Sequence, residues 1–170
     1  MIIDLIAMES SPYHFAASIA PAEIDLESEG AALKSDARIK AVVTRHIAQA
    51  NVEGEIIADV ELECSRCLQP VAQTLQFPFQ AAFVAPENYS EAKETELRAE
   101  DLEIAILESN NIDVAELVRE QILLNLPAQV YCAEDCKGLC PQCGANRNLI
   151  DCKCEEKEID PRWAALKDLK

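Results

Sequence analysis

Residues 52–70 read VEGEIIADVELECSRCLQP and carry two signals in succession. From 52 to 64 the even positions Val52, Ile56, Ala58, Val60, Leu62 and Cys64 are apolar or thiol. Their odd neighbours Glu53, Glu55, Asp59, Glu61 and Glu63 are acidic. Successive side chains of a strand leave on opposite faces, so a period of two over this length predicts a half-buried β-strand. That strand runs directly into Cys64-Ser-Arg-Cys67, a C-x2-C pair.

The alternation continues on both sides. Ala37, Ile39, Ala41 and Val43 form one apolar row, with Arg38 and Lys40 on the opposite face. If this strand pairs with the next, their loop needs an even residue count to keep both apolar rows on one face. Arg38 and Lys40 would then lie across from the acidic row, each pair contributing roughly 0.2–1 kcal/mol. Downstream, Val71, Leu75, Phe77, Phe79, Ala81 and Phe83 point one way, and Thr74, Gln76 and Gln80 the other. Pro78 cannot donate to a ladder, which predicts an edge or a bulge there. The C-x2-C pair therefore occupies a strand-to-strand turn.

Farther out the signals are shorter. Apolar runs at 2–8 and 13–19, separated by Ser10, Ser11 and Pro12, read as two short strands. Residues 23–36 are polar, with Gly30 and Ser35-Asp36 as turn signals. Residues 86–101 are acidic and read as a loop. Leu102, Ile104 and Ile106 suggest a strand over 102–107. Asp113, with Glu116 three residues on, starts a helix that Pro127 stops. Val114, Leu117, Val118, Ile122 and Leu124 give it a wide apolar face. Asp160-Pro161 opens a terminal helix that carries Trp163, Leu166 and Leu169.

A chain of 170 residues makes one domain, or one with a small appendage, and can bury a sizeable core. No run approaches the ~18 apolar residues of a membrane span. The N-terminus lacks a basic start and contains Asp4, so a secretory signal is not expected and the thiols face a reducing cytosol. The net charge of −16 is unevenly spread. Residues 1–126 hold 23 acids against 8 Lys and Arg, whereas 127–170 hold 8 against 7. The body should repel a phosphate backbone and suits a basic protein, and only the tail tolerates RNA. Acidity also favours solubility.

Six of the eight cysteines fall in 132–154: Cys132, Cys136, Cys140, Cys143, Cys152 and Cys154. Zinc takes four ligands in a tetrahedron, with thiolates at about 2.3 Å. The preferred partition puts Cys140, Cys143, Cys152 and Cys154 on one ion. Cys64, Cys67, Cys132 and Cys136 would then form a second set that pins the tail to the turn, while Cys152-x-Cys154 is tighter than the usual pair and leaves the partition open. Gly144 suits the turn after Cys143 because it tolerates positive φ. His14 and His46 lie in strands without a cysteine nearby and read as packed or exposed rings. Three rivals remain: a redox C-x-x-C, an iron–sulfur cluster, and a catalytic zinc. All-cysteine sets are closed, which favours structural metal. No phosphate loop, G-x-S-x-G or H-E-x-x-H is present.

The run IDVAELVREQILLNLP at 112–127, then CKGLCPQCG at 136–144 and DPRWAALK at 160–167, resembles the YceD family of large ribosomal RNA subunit accumulation proteins. Cys64-Ser-Arg-Cys67-Leu68 after an acidic strand is similar to the same family. The resemblance implies a role in accumulation, processing or stability of large-subunit ribosomal RNA in bacteria or plastids. It also implies a link to a small zinc-ribbon protein of the large subunit, and such proteins are basic.

Together these readings predict an α+β fold. An antiparallel sheet, a meander or partial barrel, packs against one main helix within 1–127, and 128–170 forms a cysteine-rich zinc-binding tail integrated with it. The expected function is a non-catalytic, cytoplasmic ribosome biogenesis factor with one or two structural zinc ions. Its partners would be the large-subunit precursor, a basic ribosomal protein or ribosomal RNA, with contacts through Lys137, Arg147, Lys153, Arg162 and Trp163. No membrane or small-molecule substrate is expected. The alternative is a thiol redox or zinc-dependent enzyme using the C-x-x-C pairs.

Overall fold

A computed structural model describes residues 1–8, 10–26, 30–46, 49–84, 104–107 and 109–154. The loop expected at 86–101, the start of the strand expected at 102–107 and the helix expected at 160–169, with Arg162 and Trp163, lie outside these residues. The chain divides into two compact units. The first joins Met1–Leu62 to Val71–Ala128, and the second joins Glu63–Pro70 to Gln129–Lys170.

The first unit is built on the alternating strands. β4 (Ala37–Arg45) buries Ala37, Ile39, Ala41 and Val43, and β5 (Gln49–Glu63) buries Ala50, Val52, Ile56, Ala58, Val60 and Leu62. Their antiparallel register sets Val43 opposite Val52 and Ile39 opposite Ile56, which puts both rows on one face. Arg45 pairs with Ala50, so an even number of residues, 46–49, separates these paired positions in sequence. Lys40 lies across from Glu55, but Arg38 faces Ile57, which interrupts the acidic row. Gly54 sits opposite Ala41. A Cβ there would meet the Lys40 carbonyl oxygen at 2.3 Å and the Ala41 Cβ at 2.6 Å, so only hydrogen fits.

β2 (Tyr13–Ile19) flanks β4, and β6 (Pro70–Val84) flanks β5. Two short strands escape the expected pattern. β3 (Ala31–Leu33) pairs with β5 opposite Val60–Leu62, inside a segment that reads as turn. β7 (Ile104–Ile106) runs parallel to β6 at Ala82–Val84, so the sheet is mixed rather than wholly antiparallel. Parallel neighbours need a crossover of a dozen or more residues, and residues 85–103 supply that length. Among the described residues the pairings form a path from β2 to β7, with no pairing that closes it.

β1 (Ile2–Asp4) and β8 (Asn111–Asp113) form a separate antiparallel pair, and β8 leads into α1 (Val114–Leu124). The Asp113 side chain accepts from the Ala115 N–H at 2.9 Å and so caps the helix. Glu116 does not complete a capping box; it pairs with Arg119 at 3.1 Å. Val114, Leu117, Val118 and Ile122 are buried, and each such side chain contributes roughly 1.5–3 kcal/mol. Leu124, expected on that face, is 77% exposed, because it ends the last turn at the margin of the apolar arc. Among the described residues no buried side chain is polar or charged, and no helix is long and apolar enough to cross a membrane.

Candidate metal centre

The second unit starts from the turn between β5 and β6. The Cys64 N–H donates to the Gln69 carbonyl and the Leu68 N–H to the Cys64 carbonyl, both at 2.9 Å. Leu68 takes a left-handed φ of 59° to close this turn. Segment 130–139 then wraps onto it. The Ser65 N–H donates to the Val130 carbonyl at 2.7 Å, and the Leu139 N–H to the Arg66 carbonyl at 2.9 Å. The Arg66 guanidinium donates to the carbonyls of Glu134 and Cys136 and lies 4.3 Å from the Tyr131 ring centre. Gly138, at φ 70°, permits this approach, since a Cβ would come within 2.9 Å of the Arg66 carbonyl oxygen.

These contacts bring four thiols from two distant segments together as a split site: Cys64, Cys67, Cys132 and Cys136. All four sulfurs lie within 4.8 Å of one another. Cys64 and Cys136 are 3.8 Å apart, and Cys67 and Cys132 are 3.5 Å apart. A tetrahedron with bonds of about 2.3 Å spaces its sulfurs about 3.8 Å apart. The set therefore fits one tetrahedral ion.

The remaining thiols, Cys140, Cys143, Cys152 and Cys154, form a local site of the same span. The Gly144 N–H donates to the Cys140 carbonyl, and the Cys140 N–H to the Ala145 carbonyl. Gly144 has the positive φ, 72°, expected of it. The local site is more open: Cys143 and Cys154 are exposed and Cys152 half-buried, whereas in the split site only Cys132 is exposed. All eight cysteines are free thiols, and the grouping takes every one of them.

The thiols in each set differ in acidity. Burial raises Cys64, but backbone N–H groups of Arg66, Cys132 and Cys67 outweigh it and bring it to about 6. N–H groups of Cys143 and Gln142, with the Cys152 thiol, bring Cys140 to about 6. The Asn148 side chain, donating at 3.3 Å, lowers Cys136. Hydrogen bonds to Cys67 and Cys136 push Cys132 up to about 12, and one to Cys143, with burial, pushes Cys154 up to about 12. Cys152 is raised, first by its contact with Cys140. At Cys67 the Gln69 N–H acts downward, but burial and contacts with Cys64 and Cys136 outweigh it. Each set thus pairs one thiol brought down to about 6 with another pushed up to about 12. A cation at the centre would replace the thiol protons and let all four sulfurs ionise.

Lys137, Arg147 and Lys153 are exposed. The Lys137 N–H donates to Asn148 Oδ1 and the Arg147 N–H to the Gly138 carbonyl, so these two residues sit on joined segments. Lys153 lies between two thiols of the local site. Neither histidine belongs to a thiol set. Arg66, Gly138 and Asn148 are site residues that the cysteine spacing does not reveal. The available signals were the position of Arg66 inside the C-x2-C and of Gly138 between Cys136 and Cys140.

The family model for the large ribosomal RNA subunit accumulation protein YceD matches residues 52–170, a span that takes in all eight cysteines. The uncharacterized protein Rv2926c of Mycobacterium tuberculosis is 32% identical over 153 residues, covering 88% of this chain and 69% of that protein. YlbN of Bacillus subtilis is 29% identical over 136 residues, 79% of this chain and 74% of that protein. A Haemophilus influenzae protein named large ribosomal RNA subunit accumulation protein YceD is 32% identical over 87 residues, 51% of this chain and 48% of that protein. No solved structure matches the chain.

Proposed function

We propose, on the premise that this chain belongs to the YceD family of large ribosomal RNA subunit accumulation proteins, that it is a non-catalytic factor in the accumulation of large-subunit ribosomal RNA in the bacterial cytoplasm. The observation that carries this reading is the family match itself, which covers residues 52–170. Charge supports the manner of action. The acidic residues 1–126 suit a basic ribosomal protein on the large-subunit precursor. The near-neutral segment 127–170 tolerates ribosomal RNA, with Lys137, Arg147, Lys153, Arg162 and Trp163 as contacts.

Zinc is the ion that suits both thiol sets. Four thiolates favour zinc or iron–sulfur centres, and sulfurs within 4.8 Å of one another match the shell of one ion rather than a cluster of several irons. The split site would be held by Cys64, Cys67, Cys132 and Cys136, and the local site by Cys140, Cys143, Cys152 and Cys154. When bound, zinc supplies structure: it cross-links residues 64–67 to 132–136 and closes loop 144–151. A catalytic zinc keeps an open position, whereas four thiolates leave none, which supports a structural role over a zinc-dependent or redox enzyme.

The test is depletion of the protein with measurement of large-subunit against small-subunit ribosomal RNA, joined to affinity capture of the tagged full chain. The expected result is a lowered ratio and salt-sensitive recovery of a basic large-subunit protein or precursor RNA. An unchanged ratio with no ribosomal material recovered would overturn the proposal.

A further inference from the structure

The loop between Cys143 and Cys152 does more than close the local site. Arg147, Asn148, Leu149 and Ile150 are all exposed, so no buried apolar side chain anchors its tip. The tip is held by polar contacts to the segment between the two sites. The Arg147 N–H donates to the Gly138 carbonyl, and Leu139 pairs with Asn146 in an isolated antiparallel bridge. Asn148 makes the closest link. Its N–H donates to Asn146 Oδ1 at 2.9 Å, and its own Oδ1 accepts from the Lys137 N–H at 2.8 Å. A backbone N–H can only donate, so the oxygen must face Lys137 and the amide nitrogen must face the other way. That nitrogen lies 3.3 Å from Cys136 Sγ, a sulfur of the other site.

We infer that Asn148 is a positioning residue that couples the two metal sites, so that an ion in the local site strengthens binding at the split site. This rests on the reading that both thiol sets hold metal. Four thiolates around a divalent ion leave excess negative charge on sulfur, and an N–H donor aimed at one sulfur stabilises it. The donor is available only while loop 144–151 is closed. An ion held by Cys140, Cys143, Cys152 and Cys154 would fix both ends of that loop, and without it eight residues with no fully buried apolar side chain must order themselves. Coupling of this kind is reciprocal: an ion in the split site strengthens the local site by the same factor.

Zn2+ titration of the reduced full chain against a chromophoric chelator, with ions counted by native mass spectrometry, tests this. Asn148→Ala should weaken the split site about 10-fold, the lower end for loss of a group that supports a ligand. Asn148→Asp keeps the acceptor for Lys137 but loses the donor, so it should be at least as weak. Cys152→Ser with Cys154→Ser should weaken the split site by a similar factor, and adding Asn148→Ala should then change little. In Co2+-loaded protein, Asn148→Asp should move the sulfur-to-metal charge-transfer band to longer wavelength, because a thiolate without its hydrogen bond gives up an electron more readily. A merely structural role would leave that band in place. Split-site affinity in Asn148→Asp equal to the parent's, or factors that simply multiply, would overturn the coupling while two ions still bind. Failure to bind Zn2+ at all would overturn the metal reading with it.

Discussion

Replacing Gly138 by alanine tests whether the split site depends on close backbone approach. Gly138 has φ 70° and Gly144 has φ 72°, so either substitution places an L-residue in the left-handed region at roughly 1–2 kcal/mol. The two positions differ in their surroundings. A Cβ at Gly144 meets nothing within 4 Å, whereas at Gly138 it would sit 2.9 Å from the Arg66 carbonyl oxygen and 3.4 Å from the Arg66 Cβ. That oxygen accepts the Leu139 N–H at 2.9 Å, and displacing it forfeits a hydrogen bond of about 0.5–1.5 kcal/mol. Gly138→Ala should therefore cost about 2–3 kcal/mol and Gly144→Ala about 1–2 kcal/mol. Denaturant unfolding of the zinc-loaded chain measures the difference. Amide hydrogen exchange should show protection of the Leu139 N–H lost in Gly138→Ala and retained in Gly144→Ala. Equal costs, or a Leu139 amide still protected in Gly138→Ala, would refute the reasoning.

Gly54→Ala should destabilise the first unit by about 3 kcal/mol or prevent folding, because the new Cβ overlaps the Lys40 carbonyl and Ala41; urea denaturation would read it. Asp113→Ala removes the cap of α1 and should cost about 1 kcal/mol in the same assay, with Asp113→Ser recovering most of it. Asp59 lies below the usual carboxylate range because Thr74, and then Ser35, donate to it. Its contribution to stability is present above the unfolded carboxylate value of about 3.9 and is lost as pH falls through the lower folded value. Thr74→Val should raise the Asp59 titration midpoint measured by NMR, and an unmoved midpoint would contradict this account.

The long strands were legible because one face of each is buried and the other wet, which writes a period of two into the sequence. The same rule gave the parity of β4 on β5, since a slip of one residue would turn the apolar row of one strand away from that of the other. β3 was not legible: three residues, two of them alanine, carry no period, and pairing with β5 alone defines the strand. β7 was expected as a strand, but three residues do not show that it pairs with β6 in the parallel sense. Leu124 shows the opposite failure, an apolar residue with helical spacing that the helix end leaves in water. At the site, thiols announce themselves by type and spacing. The residues that support them do so through backbone groups and a single amide, as with Gly138 and Asn148, and such contacts leave little trace in composition.

The central claim, two closed four-thiolate sites with a fixed membership, is tested most directly by counting zinc in the intact chain by native mass spectrometry at saturating Zn2+. The account predicts two ions in the parent chain. Cys64→Ser with Cys67→Ser should leave one ion, and so should Cys152→Ser with Cys154→Ser, while the four substitutions together should leave none. A parent chain that binds a single ion, or a cysteine pair whose loss leaves the count at two, would contradict it.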